Sequence, residues 1–224
     1  MMTNLFSSFD PATSLNLSLN WTSTVLMMII VPYPYWFLPN RLMMIFSFFN
    51  KKLHEEFKIL LSNSHKGLTL MMVSLFMFIM INNLMGLMPY IFTSSSHLVF
   101  SLSLSLPLWL SMMMFGMFKN TNSLFAHMVP MGTPSILMPF MVMIESISNI
   151  IRPGSLAVRL TANMIAGHLL MSLLGNKSLE INNVILVIVI TIQMLLMMFE
   201  TAVSIIQAYV FSILTTLYSK EVMN

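Results

Sequence analysis

From Gly67 to Phe118 the chain carries no Asp, Glu, Lys or Arg, and that interval restricts the fold more than any other feature. A soluble domain keeps about a quarter of its residues charged. Here 8% are charged and 57% hydrophobic, with a mean hydropathy of +0.85. A water-soluble fold is excluded, and so is disorder, which requires a chain poor in apolar residues. The count of 0 Cys removes disulfides, Fe–S clusters and thiolate zinc sites. A net charge of +3, from 10 basic and 7 acidic side chains, makes no case for nucleic acid as a partner. What remains is an all-α integral membrane protein with a single domain, residues 1–224.

The 27 methionines are more than gap-filling between helices requires. They fit an A/T-rich organellar genome that reads an extra codon as Met. The first charge is Asp10, and no basic n-region or Arg/Ser-rich helix precedes it. The expectation is a protein made beside the membrane it enters.

A spanning helix needs about 20 mostly apolar residues. The first such segment is Trp21–Leu38, which closes on Pro32, Pro34 and Pro39. The uncharged interval is long enough for two spans, divided at Pro89 and Thr93–His97 into Gly67–Met88 and His97–Phe118. Ser101–Leu106 alternates Ser with Leu, a strand pattern in water. In lipid a lone strand leaves its backbone unpaired at several kcal/mol per group, so the helix wins, with serine hydroxyls bonding back to their own turn. Between spans, Leu42–Ser62 sets Leu42, Ile45, Phe46, Phe49, Leu53, Phe57 and Leu60 at helical spacing, opposite Asn50, Lys51, His54, Glu55 and Lys58. This reads as an amphipathic helix lying in the membrane interface; the alternative is a soluble linker. Arg41, Lys51, Lys52, Lys58 and Lys66 make this the basic, inner side. Five crossings follow, with the N-terminus outside.

The remainder reads as a helical hairpin. Pro130–Pro134 is a loop with a helix start, and an apolar run from Ser135 meets Arg152-Pro153-Gly154, which should kink or break the helix. The first arm, residues 135–174, closes at Gly175-Asn176. The second, residues 182–218, is on the order of 55 Å long against a hydrocarbon core of about 30 Å, so the hairpin must be steeply inclined. No internal repeat is present, which argues against an inverted-repeat transporter.

Glu145, Arg152, Arg159, His168 and Glu200 lie inside this apolar hairpin. Ionisable groups in spans cost several kcal/mol and mark ion or proton paths. Glu145 and Arg152 sit near the expected break, where a structural interfacial role is the alternative. A turn near 179.5 would bring residues whose numbers sum to about 359 level. Arg159 would then face Glu200, Asn163 would face Leu196, His168 Thr191 and Arg152 Gln207, and His168 would stand roughly 14 Å from Glu200 along the axis. The plainer reading of Arg159 and Glu200 is a buried salt bridge pinning the hairpin. Around Arg159, Ser155, Ala162, Asn163 and Ala166 are small or polar, a face that admits close approach by another helix. Gln193, Glu200, Ser204 and Gln207 form a polar stripe on the last helix.

The run Arg159-Leu160-Thr161-Ala162-Asn163-Met164-Ile165-Ala166-Gly167-His168 resembles the signature helix of subunit a (subunit 6) of the rotary ATP synthase in its mitochondrial form. The resemblance covers nearly the whole chain, including the amphipathic helix, Asn83-Leu84-Met85-Gly86-Leu87-Met88-Pro89-Tyr90, Glu145, and Glu200 with Gln207. It implies a multi-pass subunit of the mitochondrial inner membrane in which two inclined helices lie against a ring of c subunits and form two offset proton half-channels. By the family pattern His168 and Glu200 serve the intermembrane-space half-channel and Glu145 the matrix one. Asn163 and Gln207 are polar neighbours of the arginine, and Ser155, Ala162 and Ala166 face the ring.

The resulting expectation is a stator subunit, not itself an enzyme and without a cofactor, whose partners are the c-ring, other stator subunits, lipid and protons. Arg159 keeps its proton and so attracts a deprotonated ring carboxylate while blocking a direct path between half-channels. The rival is a haem or quinone subunit of the same membrane. Haem needs axial ligands on facing helices, and His54, His65, His97, His127 and His168 show no such pairing. A passive assembly subunit leaves the arginine and its small-residue face unexplained.

Overall fold

The computed structural model describes residues 4–14, 17–33, 35–61, 67–129, 134–178 and 183–223. Residues 130–133, in which a loop was expected, as well as His65, Lys66 and Glu180, lie outside them. Among the described residues the protein is helical and has no strand. Seven α-helices follow one another: α1 Ser23–Ile30, α2 Arg41–Leu61, α3 Leu68–Gly86, α4 Leu98–Lys119, α5 Thr121–His127, α6 Met138–Ser178 and α7 Asn183–Met223. Four of them, α3, α4, α6 and α7, are long and apolar enough to cross a membrane.

Burial on α7 is inverted relative to a soluble helix. Glu200, Ser204, Gln207, Ser212 and Thr216 are buried, while Leu195, Met198 and Phe199 are each about 70% exposed (71%, 72% and 69%). Lipid tails are as apolar as Leu, so exposed apolar faces cost nothing there, and small or polar residues become the seams between helices. A core of Phe57, Met72, Phe76, Ile79, Leu160 and Phe211 joins α2, α3, α6 and α7. Around it α3 packs chiefly on α7, and α4 packs on α6.

These elements follow the sequence pattern at one place and depart from it at three. The alternating Ser/Leu stretch is helical within α4, and the hydroxyls of Ser101 and Ser103 donate to the carbonyls of Leu98 and Phe100 at 3.1 and 2.7 Å. The first span, expected over Trp21–Leu38, is helical only to Ile30, after a 3-10 turn at Leu19–Thr22. At 1.5 Å per residue α1 rises about 12 Å, less than half of a bilayer core. The cause is local, because the residue before a proline is forced out of the helical region, and Val31 precedes Pro32.

The break at Arg152-Pro153-Gly154 does not form. Instead α6 continues through Pro153, as α4 continues through Pro107. Proline removes one backbone bond, whereas an opened turn in lipid strands several groups at several kcal/mol each. The stop at Gly175-Asn176 is likewise overrun to Ser178, whose hydroxyl donates to the Gly175 carbonyl at 2.6 Å.

Candidate functional site

Three contacts fix the register of α6 against α7. Asn163 Nδ2 donates to Gln207 Oε1 at 3.2 Å. Gly167 lies against the Glu200 side chain, so that a Cβ placed there would stand 2.7 Å from Cδ and Oε1. Arg152 Nη1 bonds Glu221 Oε2 at 2.6 Å. These pairs sum to between 367 and 373, not 359. The level-pairing rule took both helices to leave the turn at one height and run side by side, and α6 in fact overruns its expected stop. Asn163 meets Gln207, 11 residues beyond the Leu196 expected for it (207 − 196), a slide of about 16 Å. Arg159 therefore does not face Glu200, and among the described residues no ion pair joins them. His168 does not face Thr191, nor Arg152 Gln207, and Glu200 stands level with Gly167, the neighbour of His168.

Toward the end of the bundle away from α2, the Glu200 side chain is 8% exposed and neither carboxylate oxygen has a hydrogen-bond partner. One turn along α7, the Ser204 carbonyl accepts from Asn83 Nδ2 of α3 at 3.4 Å, and Asn83 Oδ1 is itself buried and unpartnered. Gly86 of α3 fits because a Cβ there would meet Thr93 Cγ2 at 3.2 Å. His168 has a buried, unpartnered Nε2 and the edge of Phe9 at 6.3 Å between ring centroids. It lines a cavity of about 350 Å³ together with Thr93, Tyr90, Met171, Gln193 and Met197. Glu200 is one turn beyond Met197 and is not itself in the cavity wall.

At the opposite end, which carries α2, Arg152 is held by two carboxylates and an aromatic ring. Glu145 Oε1 accepts from Nη2 at 3.5 Å, Glu221 takes Nη1, and the guanidinium lies 4.9 Å from the centroid of Tyr218. The three charged groups line a cavity of about 290 Å³ with Trp109, Asn149 and Tyr218. One guanidinium thus serves two carboxyl groups in that cavity.

Arg159 lies between the two ends. It is 7 residues beyond Arg152 and 9 short of His168, about 10 and 14 Å along the helix. It is exposed, as are Ser155, Ala162, Asn163 and Ala166, so the small face holding the arginine is open along one side of α6. The expected residues thus fall into three places: His168 and Glu200 at one end, Glu145 at the other, and Arg159 with Asn163 and Gln207 between. Sequence reasoning missed Glu221 and the close fit of Gly167. Extending the stripe Gln193, Glu200, Gln207 by its own interval of seven reaches Glu221 two intervals later. That was the available signal.

These features define a class: a polytopic, all-helical membrane subunit with ionisable groups set into two opposed cavities. Residues 12–220 match the family model described as ATP synthase A chain. Over 99% of this chain and the full length of each relative, it is 59% identical to ATP synthase subunit a of Anopheles quadrimaculatus and 57% identical to that of Locusta migratoria. The Aedes aegypti subunit a is 60% identical over the same share. The chain belongs to the ATP synthase A chain family. Its role is therefore in the membrane sector of ATP synthase, working with the other subunits of that complex.

Proposed function

We propose that this chain is the stator subunit that passes protons to and from a carboxylate on a rotating c-ring through two offset half-channels in the mitochondrial inner membrane. The observation that carries the reading is the pair of cavities at opposite ends of the α6–α7 hairpin, with the exposed Arg159 between them. The end carrying α2 is the matrix side by its basic residues, so His168 and Glu200 serve the intermembrane-space path and Glu145 with Glu221 the matrix path.

An arginine facing lipid is costly. Ser155, Ala162, Asn163 and Ala166 beside it suit the close approach of another helix, here a ring helix whose carboxylate meets the guanidinium. A deprotonated carboxylate is held there, and a protonated one passes into lipid. Because arginine does not release its proton, protons cannot cross from one half-channel to the other without the ring turning. The membrane potential supplies about 2.3 kcal/mol per charge per 100 mV. The chain makes and breaks no bond of a small substrate, so it is a conducting subunit and the catalysis belongs elsewhere in the complex.

The count of 0 Cys gives a direct test. Single cysteines at Asn149 and Met171, in the two cavity walls, should react with a water-soluble thiol reagent in the assembled complex, each from its own side of the membrane. A cysteine at Ala157, which is fully buried, should not react from either. Reaction of both cavity positions from one side, or of neither from any side, contradicts two offset half-channels.

A further inference from the structure

The early end of α1 leaves a space that nothing among the described residues fills. Ile30 and Val31 line one groove with Met77, Met80 and Ile81 of α3, so α1 ends level with the middle of that helix. Beside the strip of α3 that packs on α2, Leu70 is 74% exposed. Two adjoining apolar grooves occupy this region, of about 550 and 420 Å³, sharing Val31, Phe46 and Met77 as walls. Volumes of this order are those of small-ligand sites. A lipid tail is the natural filling, because the walls of the smaller groove are apolar throughout.

The polar end of the larger groove says more. Lys51, His54, Glu55 and Asn50 of α2 close it. Glu55 is already paired with Lys52 at 3.4 Å, while Lys51 has no ion pair among the described residues. The groove therefore ends on an exposed ammonium in no ion pair, with the Glu55 carboxylate in the same wall directed to Lys52. Beside it Asn50 Oδ1 is buried and accepts no hydrogen bond. A ligand for this end needs an anion for Lys51 and a hydroxyl donor for Asn50, joined to a long apolar tail.

We infer that the groove between α1, α2 and α3 is a binding site for an anionic phospholipid with a polyol headgroup. Its phosphodiester lies at Lys51, its headgroup hydroxyl donates to Asn50 Oδ1, and an acyl chain runs between Val73 and Met77 toward Ile30. The lipid stands in for the missing half of α1 and ties the amphipathic helix to α3. No residue of the proton path takes part, so the site is independent of the function proposed above.

The test uses the purified ATP synthase complex in phosphatidylcholine vesicles doped with phosphatidylglycerol bearing a photoreactive acyl chain. Phosphatidylcholine with the same chain is the second probe, since it carries no net charge and no headgroup hydroxyl. Peptides of α3 containing Val73 and Met77 should be labelled by the glycerol lipid and much less by the choline lipid. Lys51→Gln should lower that labelling about fivefold, the contribution of one lysine near a charged membrane surface. Lys58→Gln removes an equal charge from the same helix but away from the groove, and should leave the labelling unchanged. Equal labelling by both probes means ordinary boundary lipid and overturns the site. So does an equal loss with both lysine substitutions, which means diffuse attraction. Absence of label from both probes means that another polypeptide covers the groove, and also overturns it.

Discussion

Glu200 is the residue whose surroundings say most about its work. A buried carboxylate without a partner is costly, and both oxygens of Glu200 are unpartnered with the side chain pressed against Gly167. On the proposed function such a group is held for the proton it can take up. Glu200→Gln should leave assembly intact and lower proton-driven ATP synthesis at least tenfold; a normal rate in assembled complexes contradicts the role. Gly167→Ala is a subtler probe, since the added methyl meets the flexible end of Glu200 and not backbone. The fold should survive at a cost below about 1 kcal/mol, while the displaced carboxylate should slow synthesis several-fold. A wild-type rate in that variant means that the position of Glu200 is loosely constrained. At this scale the sequence displayed its residues well. Arg159, Glu200, Asn163 and Gln207 stand out as polar groups in apolar runs, and two of them, Asn163 and Gln207, are hydrogen-bonded. Glu221 was hidden because a charge near the end of a span looks like an ordinary interfacial residue. Beyond its place on the seven-residue interval of the stripe, its ion pair with Arg152 sets it apart.

At the scale of elements, local rules were reliable where composition decides and failed where lipid does. The existence of the long helices follows from apolar runs, and the hydroxyl bonds of Ser101 and Ser103 follow from the cost of an unpaired strand. Proline and glycine were misread in both directions. Pro32 stops α1 early, in a segment expected to continue as helix, whereas Pro153 and Gly175 interrupt nothing in α6. The difference is how closely the prolines follow: α6 closes around the one Pro153 because an opened turn would strand backbone groups in hydrocarbon, whereas Pro32, Pro34 and Pro39 after α1 leave no room for a helix to resume. The register of the hairpin was illegible for the same reason, because it depends on where each helix ends. The face of α6 bearing Ala162 and Ala166 is an element-scale feature with its own test. Ala166→Leu should impair rotation or assembly, measured as coupled ATP synthesis per assembled complex, since a passing helix needs the small side chain. Full coupling in an assembled Ala166→Leu complex means that this face meets only lipid.

For the whole molecule, the proposed function depends on separation. One cavity opens beside His168 and the other beside Glu145 and Glu221, and Arg159 stands between them on a face that the chain itself leaves uncovered. The central claim is that Arg159 is the barrier between two proton paths as well as a counter-charge. Arg159→Lys separates these roles, because lysine keeps the formal charge but can lose its proton in a low-dielectric site and lacks the planar fork that holds a carboxylate with two hydrogen bonds. The measurement is passive proton flux through vesicles carrying the Arg159→Lys membrane sector with the ring cross-linked to the stator. The account predicts flux above that of the cross-linked wild type, together with lost synthesis. Flux equal to the wild-type control, with synthesis still lost, would contradict it and leave Arg159 as a geometric clamp alone.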